Sequence, residues 1–251
     1  MSNLVRRENN AGAAILTINR PEKLNALTKD VFEALDDHLD AIAREIKTIG
    51  LIVLRGAGGN FSAGYDMREV LEHVKAHAKP HFHSEVIHKL TNMPQPVISA
   101  VQGHCSTGAL ELALAADLIV ASESTRFSDV YARWGLTPVW GLSFRLPHRI
   151  GAAKASEMMF TSRSYTGRQA EAMHLANFCF ADDQFESELA RLSADILANS
   201  WYANQVNKRA LMAIDGLSLD DAHSLELFKN EGLAPDAAKR VAKFFQDPAV
   251  K

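Results

Sequence analysis

The chain has 251 residues, of which 47% are hydrophobic and 23% charged, and its formal net charge is −3. This composition is typical of a globular protein with one large domain and argues against a nucleic-acid-binding surface. No apolar run reaches the ~18 residues of a membrane span, and the N-terminus has no apolar core typical of a secretory signal. Cys105 and Cys179 form no disulfide framework or metal-ligand pattern, so we expect a reducing, cytoplasmic setting.

The first predicted elements are two strands with a helix between them. Continuous apolar runs predict buried strands at 13–19 and 51–54. Thr28 is a suitable N-cap for a helix that reaches about residue 46. Apolar side chains recur along this helix at spacings of three and four, at Phe32, Leu35, Leu39, Ile42 and Ile46. One face of the helix should therefore be buried.

Residues 67–93 carry five histidines, namely His73, His77, His81, His83 and His88. Three of them are spaced by four, which superficially resembles a metal site. However, Pro80 interrupts the helical pattern, and no carboxylate or cysteine stands at a ligand spacing. We therefore expect a solvated or pocket-lining helix and no metal site.

The most informative stretch runs from 95 to 138. Strands are predicted at 97–101 and 118–121, with a small-residue loop at 104–108 and an Ala/Leu-rich helix at 109–116 between them. Apolar strands that alternate with helices favour a mainly parallel sheet covered by helices.

Two features of this stretch point to chemistry. Glu111 is the one carboxylate in an apolar helix, and burying it is costly unless it is paired or used. Gly108 stands where the helix begins, so its loop can present a backbone N–H to a developing oxyanion.

Two further groups of residues bear on the chemistry. The Ala63-Gly64 turn, earlier in the chain, lets a ligand approach the backbone closely. Cys105 and Ser106 lack a nucleophile-elbow pattern, which favours a structural role for both.

Helices dominate the remainder of the chain. Thr166 and Gln169 have the spacing of a capping box, which predicts a helix start there. Other helical patterns cover 152–160, 185–199, 204–214, 219–230 and 235–245. The change to helices alone predicts a division into residues 1–195 and 196–251.

Four segments together resemble the enoyl-CoA hydratase/isomerase (crotonase) superfamily. They are 20–27 (RPEKLNAL), 60–67 (NFSAGYDM), 95–138, and the stretch from Gly151 to the helix at 167–170. The resemblance implies an α/β fold, a crotonase (ClpP-like) spiral of ββα units, over residues 1–195. It also implies a C-terminal helical trimerisation region at 196–251 and assembly as a homotrimer or a dimer of trimers.

The resemblance also implies a site for an acyl-CoA thioester. The N–H groups of Ala63 and Gly108 would form the oxyanion hole, and Glu111 would be the catalytic acid/base. Coenzyme A would be part of the substrate, with no separate cofactor, no metal, and neither a nucleic acid nor a membrane as partner. Substrate and CoA contacts are expected from Lys23, Leu24, Ala26, Ser62, Gly64, Tyr65, Asp66, Met67 and Trp134.

The chain departs from the hydratases of this superfamily at Tyr131. In those hydratases, the position four residues after the equivalent of Phe127 carries a second catalytic glutamate. Tyrosine has a reference pKa of about 10, so at neutral pH it donates a hydrogen bond and cannot replace a carboxylate base. Tyr131 either positions water or a proton in catalysis, or only lines the pocket. Asp129 takes the second carboxylate's place if the local register differs.

Three functions follow from this pattern. The first is an enoyl-CoA hydratase-like reaction with one glutamate. The second is another reaction through a thioester enolate, such as decarboxylation, because some decarboxylases of the superfamily lack the second glutamate. The third is acyl-CoA binding without turnover, motivated by that missing carboxylate and by 246–248 (QDP) standing where a basic tail is usual.

Overall fold

The computed structural model describes residues 3–76 and 81–245. The main sheet contains β1 (Val5–Asn10), β2 (Ala13–Ile18), β3 (Leu51–Gly56), β4 (Val97–Val101), β6 (Leu118–Ser122) and β9 (Phe178–Phe180). These strands are hydrogen-bonded in that order. Strands β1 and β2 form an antiparallel hairpin, and every other neighbouring pair is parallel. The predicted mainly parallel sheet is confirmed.

A second, three-stranded sheet consists of β5 (His104–Ser106), β7 (Arg126–Ser128) and β8 (Ser164–Thr166). The chain passes from β4 into β5 through Gln102-Gly103, and from β6 into β7 through a similarly short turn. A helix follows each of these strand pairs, which gives the ββα unit. In each unit, a strand of the main sheet is therefore followed directly by a strand of the small sheet.

Eleven α-helices are found in the described residues. They are α1 (Lys29–Arg44), α2 (Met67–Ala76), α3 (His81–Thr91), α4 (Gly108–Ala113), α5 (Leu142–Ile150), α6 (Ala152–Thr161), α7 (Gly167–Ala172), α8 (Phe185–Ala198), α9 (Trp201–Ile214), α10 (Leu219–Lys229) and α11 (Ala237–Phe244). Thr28 caps α1, and Thr166 with Gln169 forms the predicted capping box of α7. None of the helices in the described part of the chain is long and apolar enough to span a membrane.

Some predicted boundaries were wrong. His104–Ser106, predicted as loop, is strand β5, because it pairs with β7 in parallel. Helix α4 ends at Ala113, three residues before the predicted end, because residues 114–117 form a turn and a bend that lead into β6. Helix α9 begins three residues before the predicted start. Strands β1, β7, β8 and β9 and helix α5 were not predicted.

The sheet is buried on both faces. The larger core cluster packs α1, α3 and α4 against one face, while Phe185 and Leu189 of α8 cover Val53 and Ile98 on the other. Helix α8 spans the predicted division after residue 195, and that division stays a prediction. Helices α10 and α11 contain no buried residue and expose large apolar side chains, such as Leu219 and Phe228. This is compatible with assembly, which also stays a prediction; residues 246–248 lie outside the described residues.

Candidate active site

Three loops that follow β2, β3 and β4 are joined by backbone hydrogen bonds. Phe61 N–H donates to Gln102 O at 2.8 Å, which ties the second loop to the third. Leu27 N–H donates to Gly64 O at 2.8 Å, which ties the first loop to the second. The structure thus brings together the three segments that hold the predicted residues at 23–26, 62–66 and 108.

Asn25 fixes the first loop. Its side chain is fully buried, and its backbone has a φ of +55°, in the left-handed region that asparagine tolerates. The amide nitrogen donates to Ala57 O at 2.8 Å and Asn60 O at 2.6 Å, and the amide oxygen accepts from Arg20 N–H at 2.9 Å. Arg20 in turn donates to the Asp66 carboxylate at 3.3 Å. The predicted CoA-binding loop therefore has a shape set by the protein itself.

Gly108 is the first residue of α4, as predicted, and it follows a strained residue. Thr107 has φ +49° and ψ −113°, a conformation that β-branched residues rarely adopt. A Cβ added to Gly64 would lie 2.5 Å from Thr107 Oγ1 and 2.7 Å from Ser106 O. The 63–64 turn and the start of α4 are therefore in direct contact, and the peptide that carries Gly108 N–H is held at this junction.

The second predicted oxyanion donor is engaged within the protein. Ala63 is exposed, and its N–H donates to Leu24 O at 2.9 Å. Leu24 has a φ of +48°, next to Asn25 in the same left-handed region. Ala63 can therefore donate to a ligand only by sharing or exchanging the Leu24 carbonyl. Sequence reasoning did not predict this contact.

Glu111 is fully buried, and both carboxylate oxygens accept hydrogen bonds. Oε1 accepts from Trp140 N–H at 2.9 Å and Leu142 N–H at 3.1 Å, and Oε2 accepts from the Tyr131 hydroxyl at 2.6 Å. Burial raises the pKa of the Glu111 carboxyl above its ordinary value, while these three donors act in the opposite direction. The buried carboxylate is thus paired with three hydrogen-bond donors, and the net effect is a pKa above the ordinary value of a glutamate.

Tyr131 lies at the start of a 3-10 turn that ends at Trp134. Burial, followed by the charge of Glu111, raises the pKa of Tyr131, so its hydroxyl stays protonated and donates to the carboxylate. Asp129 is 2% exposed and accepts from Tyr131 N–H at 3.0 Å; burial raises the pKa of this carboxyl too. Both candidates for the missing glutamate therefore adjoin one turn, and Tyr131 is the one that contacts Glu111. Trp134 is 62% exposed.

An aromatic cluster adjoins the same junction. The ring of Trp140 packs edge-on against Tyr65 and Phe32, with centroids 5.0 and 5.1 Å apart, and stacks on His83 at 5.3 Å. The Tyr65 hydroxyl donates to Glu69 at 2.8 Å. The cluster thus joins the predicted residue Tyr65 to Trp140, which sequence reasoning missed.

The remaining predicted residues occupy the rim of the loops. Lys23, Leu24 and Met67 are exposed, whereas Ser62 is buried and accepts from Gly64 N–H at 3.1 Å. The Ala26 carbonyl accepts from the Arg20 guanidinium at 2.5 Å.

Other chemistry considered for the sequence has little support at this site. Within residues 3–76 and 81–245, no group of three or more His, Cys, Asp or Glu side chains could hold a metal ion; His77 lies outside the described residues.

Cys105 is fully buried, and burial raises the pKa of its thiol well above the ordinary value. Ser106 Oγ shares a hydrogen bond of 2.8 Å with Ser128 Oγ. Cys105 is therefore a protonated thiol, unsuited to nucleophilic attack.

The chain is similar to named proteins along most of its length. It is 30% identical over 228 residues to a probable peroxisomal enoyl-CoA hydratase 1 of Arabidopsis thaliana, over 91% of this chain and 84% of that protein. It is 32% identical over 228 residues to the mitochondrial methylglutaconyl-CoA hydratase of Homo sapiens, over 86% of this chain and 67% of that protein.

Solved structures and a family model agree with these relatives. A crystal structure of a probable enoyl-CoA hydratase/isomerase from Mycobacterium abscessus matches with a TM-score of 0.83 and 28% identity, over 97% of this chain and 96% of that one. The model of the family described as Enoyl-CoA hydratase/isomerase matches residues 8–228. The predicted superfamily and its α/β fold are confirmed, and this chain belongs to the enoyl-CoA hydratase/isomerase family.

Proposed function

We propose that this protein is an enoyl-CoA hydratase-like enzyme that acts on an acyl-CoA thioester through an enolate. One observation carries the proposal: a fully buried, hydrogen-bonded Glu111 lies three residues after Gly108, at the N-terminus of α4. A proton-transfer group beside backbone donors is the arrangement that enolate chemistry requires. The hydratase names of the relatives support the same reaction class.

The thioester oxygen would bind at the N–H groups of Gly108 and Ala63. Negative charge develops on this oxygen in the enolate, and losing one such donor typically costs ~3 kcal/mol of barrier. Gly108 is positioned by the strained Thr107, whereas Ala63 has to give up or share the carbonyl of Leu24. Thioester binding would therefore involve a small change in the loop at 23–26.

Glu111 would move the protons of the reaction. As a carboxylate it takes a proton from the water that attacks C3, and as a carboxylic acid it returns that proton to C2. Tyr131 would orient Glu111 and stabilise its ionised form through the 2.6 Å hydrogen bond. The residues at 23–26 and 62–67, with Trp134, would contact the CoA portion and the start of the acyl group.

Decarboxylation is a second candidate, and the Tyr131–Glu111 hydrogen bond favours it. The Tyr131 phenol donates directly to the Glu111 carboxylate. The site therefore holds one carboxylate and one hydrogen-bond donor, where the hydratases of the superfamily hold two carboxylates around one water. A malonyl-type ester would lose CO₂, the electron pair of the broken C–C bond would form the enolate, and one proton delivered to C2 would complete the reaction. Such a reaction needs one proton-transfer group.

A panel of esters separates these candidates. We expect hydration of crotonyl-CoA by the purified protein, measured as loss of the enoyl absorbance. CO₂ release from malonyl-type esters without crotonyl-CoA hydration would favour decarboxylation. Calorimetric binding of CoA esters without turnover of any of them would show a non-catalytic binding protein, and no binding would reject all three functions.

The change Tyr131→Phe should move the pH dependence of the reaction to higher pH. The Tyr131 hydroxyl lowers the pKa of Glu111, so its removal raises that pKa further. A hydrogen bond to a charged group contributes about 1.5–3 kcal/mol, so the acidic limb of the pH–kcat profile should move up by about 1–2 pH units. An unmoved limb would contradict the orienting role, and a similar loss of kcat at every pH would indicate a proton donor instead.

Backbone amides report directly on the proposed oxyanion hole. In ¹⁵N-labelled protein, addition of a non-reactive acyl-CoA should shift the amide resonances of Ala63 and Gly108 downfield, because both would gain or exchange an acceptor. Gly12 and Gly50 precede β2 and β3 at the other end of the sheet, and their amides should stay unchanged. Saturable binding that moves neither Ala63 nor Gly108 would refute this placement of the thioester.

A further inference from the structure

We propose that Trp140 determines acyl-chain length at this site and restricts it to short acyl groups. The inference rests on the proposed acyl-CoA function, and it adds a specificity residue that the segments resembling the superfamily did not indicate. It depends on where the Trp140 ring lies relative to Gly108 and Glu111.

Trp140 contacts both halves of the proposed catalytic apparatus. Its backbone N–H donates to Glu111 Oε1 at 2.9 Å. Its ring lies against Gly108, where a Cβ would be 2.4 Å from Trp140 Cζ3 and 3.1 Å from Cε3. An acyl group whose carbonyl oxygen binds at Gly108 N–H and whose C2 faces Glu111 therefore begins directly beside this ring.

The ring is enclosed on its other sides. Trp140 is 2% exposed, with Tyr65 and Phe32 edge-on and His83 stacked against it. These neighbours come from the 61–66 loop, α1 and α3, so three separate elements hold the ring. The indole N–H has no acceptor among the described residues, which leaves packing as the force that positions the ring.

The ring therefore occupies the volume that a longer acyl chain would need beyond Gly108. Protein interiors are close-packed, so a long chain can enter only if the indole and its aromatic neighbours move. Removal of the ring would leave a space lined by the aromatic rings of Phe32, Tyr65 and His83, which suits additional methylene groups. Each methylene newly buried improves affinity about fourfold.

Binding of saturated esters tests this independently of the reaction. By calorimetry, wild-type protein should bind butyryl-CoA at least tenfold more tightly than octanoyl-CoA. Trp140→Ala should reverse the order, with at least a tenfold gain in octanoyl-CoA affinity relative to butyryl-CoA. Trp140→Phe keeps an aromatic ring and should keep the preference for butyryl-CoA. If the alanine variant does not fold, Trp140→Leu makes the same comparison.

Trp201→Ala is the matched control. Trp201 packs against Gly12 and Gly50, which precede β2 and β3. The Trp201→Ala substitution therefore removes an indole ring at the end of the sheet opposite the site. Its chain-length preference should equal that of wild type. Equal binding of the two esters by wild type, or an unchanged ratio in the Trp140→Ala and Trp140→Leu variants, would overturn the inference alone. Failure of both esters to bind wild type would reject the proposed function itself.

Discussion

Replacing Glu111 with glutamine is expected to lower kcat about 10³-fold on whichever acyl-CoA the wild type turns over. A glutamine amide has the shape of the carboxylate but cannot accept or return a proton. General acid–base catalysis contributes about 10²–10⁴-fold, and one carboxylate would perform all proton transfer here. The measurement is steady-state turnover at saturating ester, with binding of the ester measured separately by calorimetry.

The Glu111→Gln variant should remain folded, because most contacts of residue 111 survive. The amide oxygen still accepts from Trp140 and Leu142 N–H, and the amide nitrogen faces the Tyr131 oxygen. A binding constant close to wild type would place the whole loss in the chemical step. Equal kcat values for the two proteins would remove Glu111 from the mechanism.

The same variant gives a second readout in stability. Burial raises the folded-state pKa of Glu111 above its unfolded value of about 4.5. A carboxyl with a raised pKa contributes stability that is fully present below the unfolded pKa and is lost as pH rises through the folded pKa. The free energy of unfolding of wild type should therefore fall relative to that of Glu111→Gln as pH increases above about 4.5. Urea unfolding at several pH values measures this difference.

Glu157→Gln is a matched control for the turnover measurement. Glu157 also accepts a tyrosine hydroxyl, from Tyr165 at 2.8 Å, but it lies at the surface of α6. Its ion pair with Lys154 lowers the pKa of its carboxyl, opposite to the shift at Glu111. We expect wild-type kcat from this variant; a loss comparable with that of Glu111→Gln would show that the effect is not specific to the site.

Local signals in the sequence predicted part of the local structure around the candidate site. A lone carboxylate in an apolar helix indicated that Glu111, if buried, is paired or used, and the buried side chain accepts three hydrogen bonds. The glycine at the helix start indicated where α4 begins, because a small residue between a loop and an Ala/Leu-rich run is a property of adjacent positions. Such features depend on neighbours in the chain, which makes them visible in one sequence.

Features that depend on distant residues were not predicted. Strands β5, β7, β8 and β9 have three residues each, too few to show a two-residue period, and tertiary pairing defines them. Helix α5 contains Pro147, which reads as a helix end. The Ala63–Leu24 hydrogen bond arises only when separate loops meet, and so does the packing of Trp140 on Gly108. A tryptophan beside Gly141, in a stretch where Gly135 and Pro138 are turn signals, was the available signal.

Gly64→Ala is expected to destabilise the protein by about 3 kcal/mol or more and to abolish turnover. Gly64 has a φ of +105°, which costs an alanine roughly 1–3 kcal/mol. The added Cβ would also lie 2.5 Å from Thr107 Oγ1 and 2.7 Å from Ser106 O, and the second of these is a backbone atom that cannot rotate away. Such overpacking costs typically 1–3 kcal/mol more. The two loops that carry the proposed oxyanion donors must separate to admit it.

Gly59→Ala distinguishes the contact from backbone strain alone. Gly59 also has a positive φ, +74°, but a Cβ there would meet no atom within 4 Å. Its substitution should cost only about 1 kcal/mol and preserve turnover, because only the left-handed conformation is penalised. Urea unfolding and turnover of both variants make the comparison. Equal losses at the two glycines would mean that the contact between the 63–64 turn and the start of α4 contributes nothing, and a stable, active Gly64→Ala would show that the oxyanion donors do not depend on it.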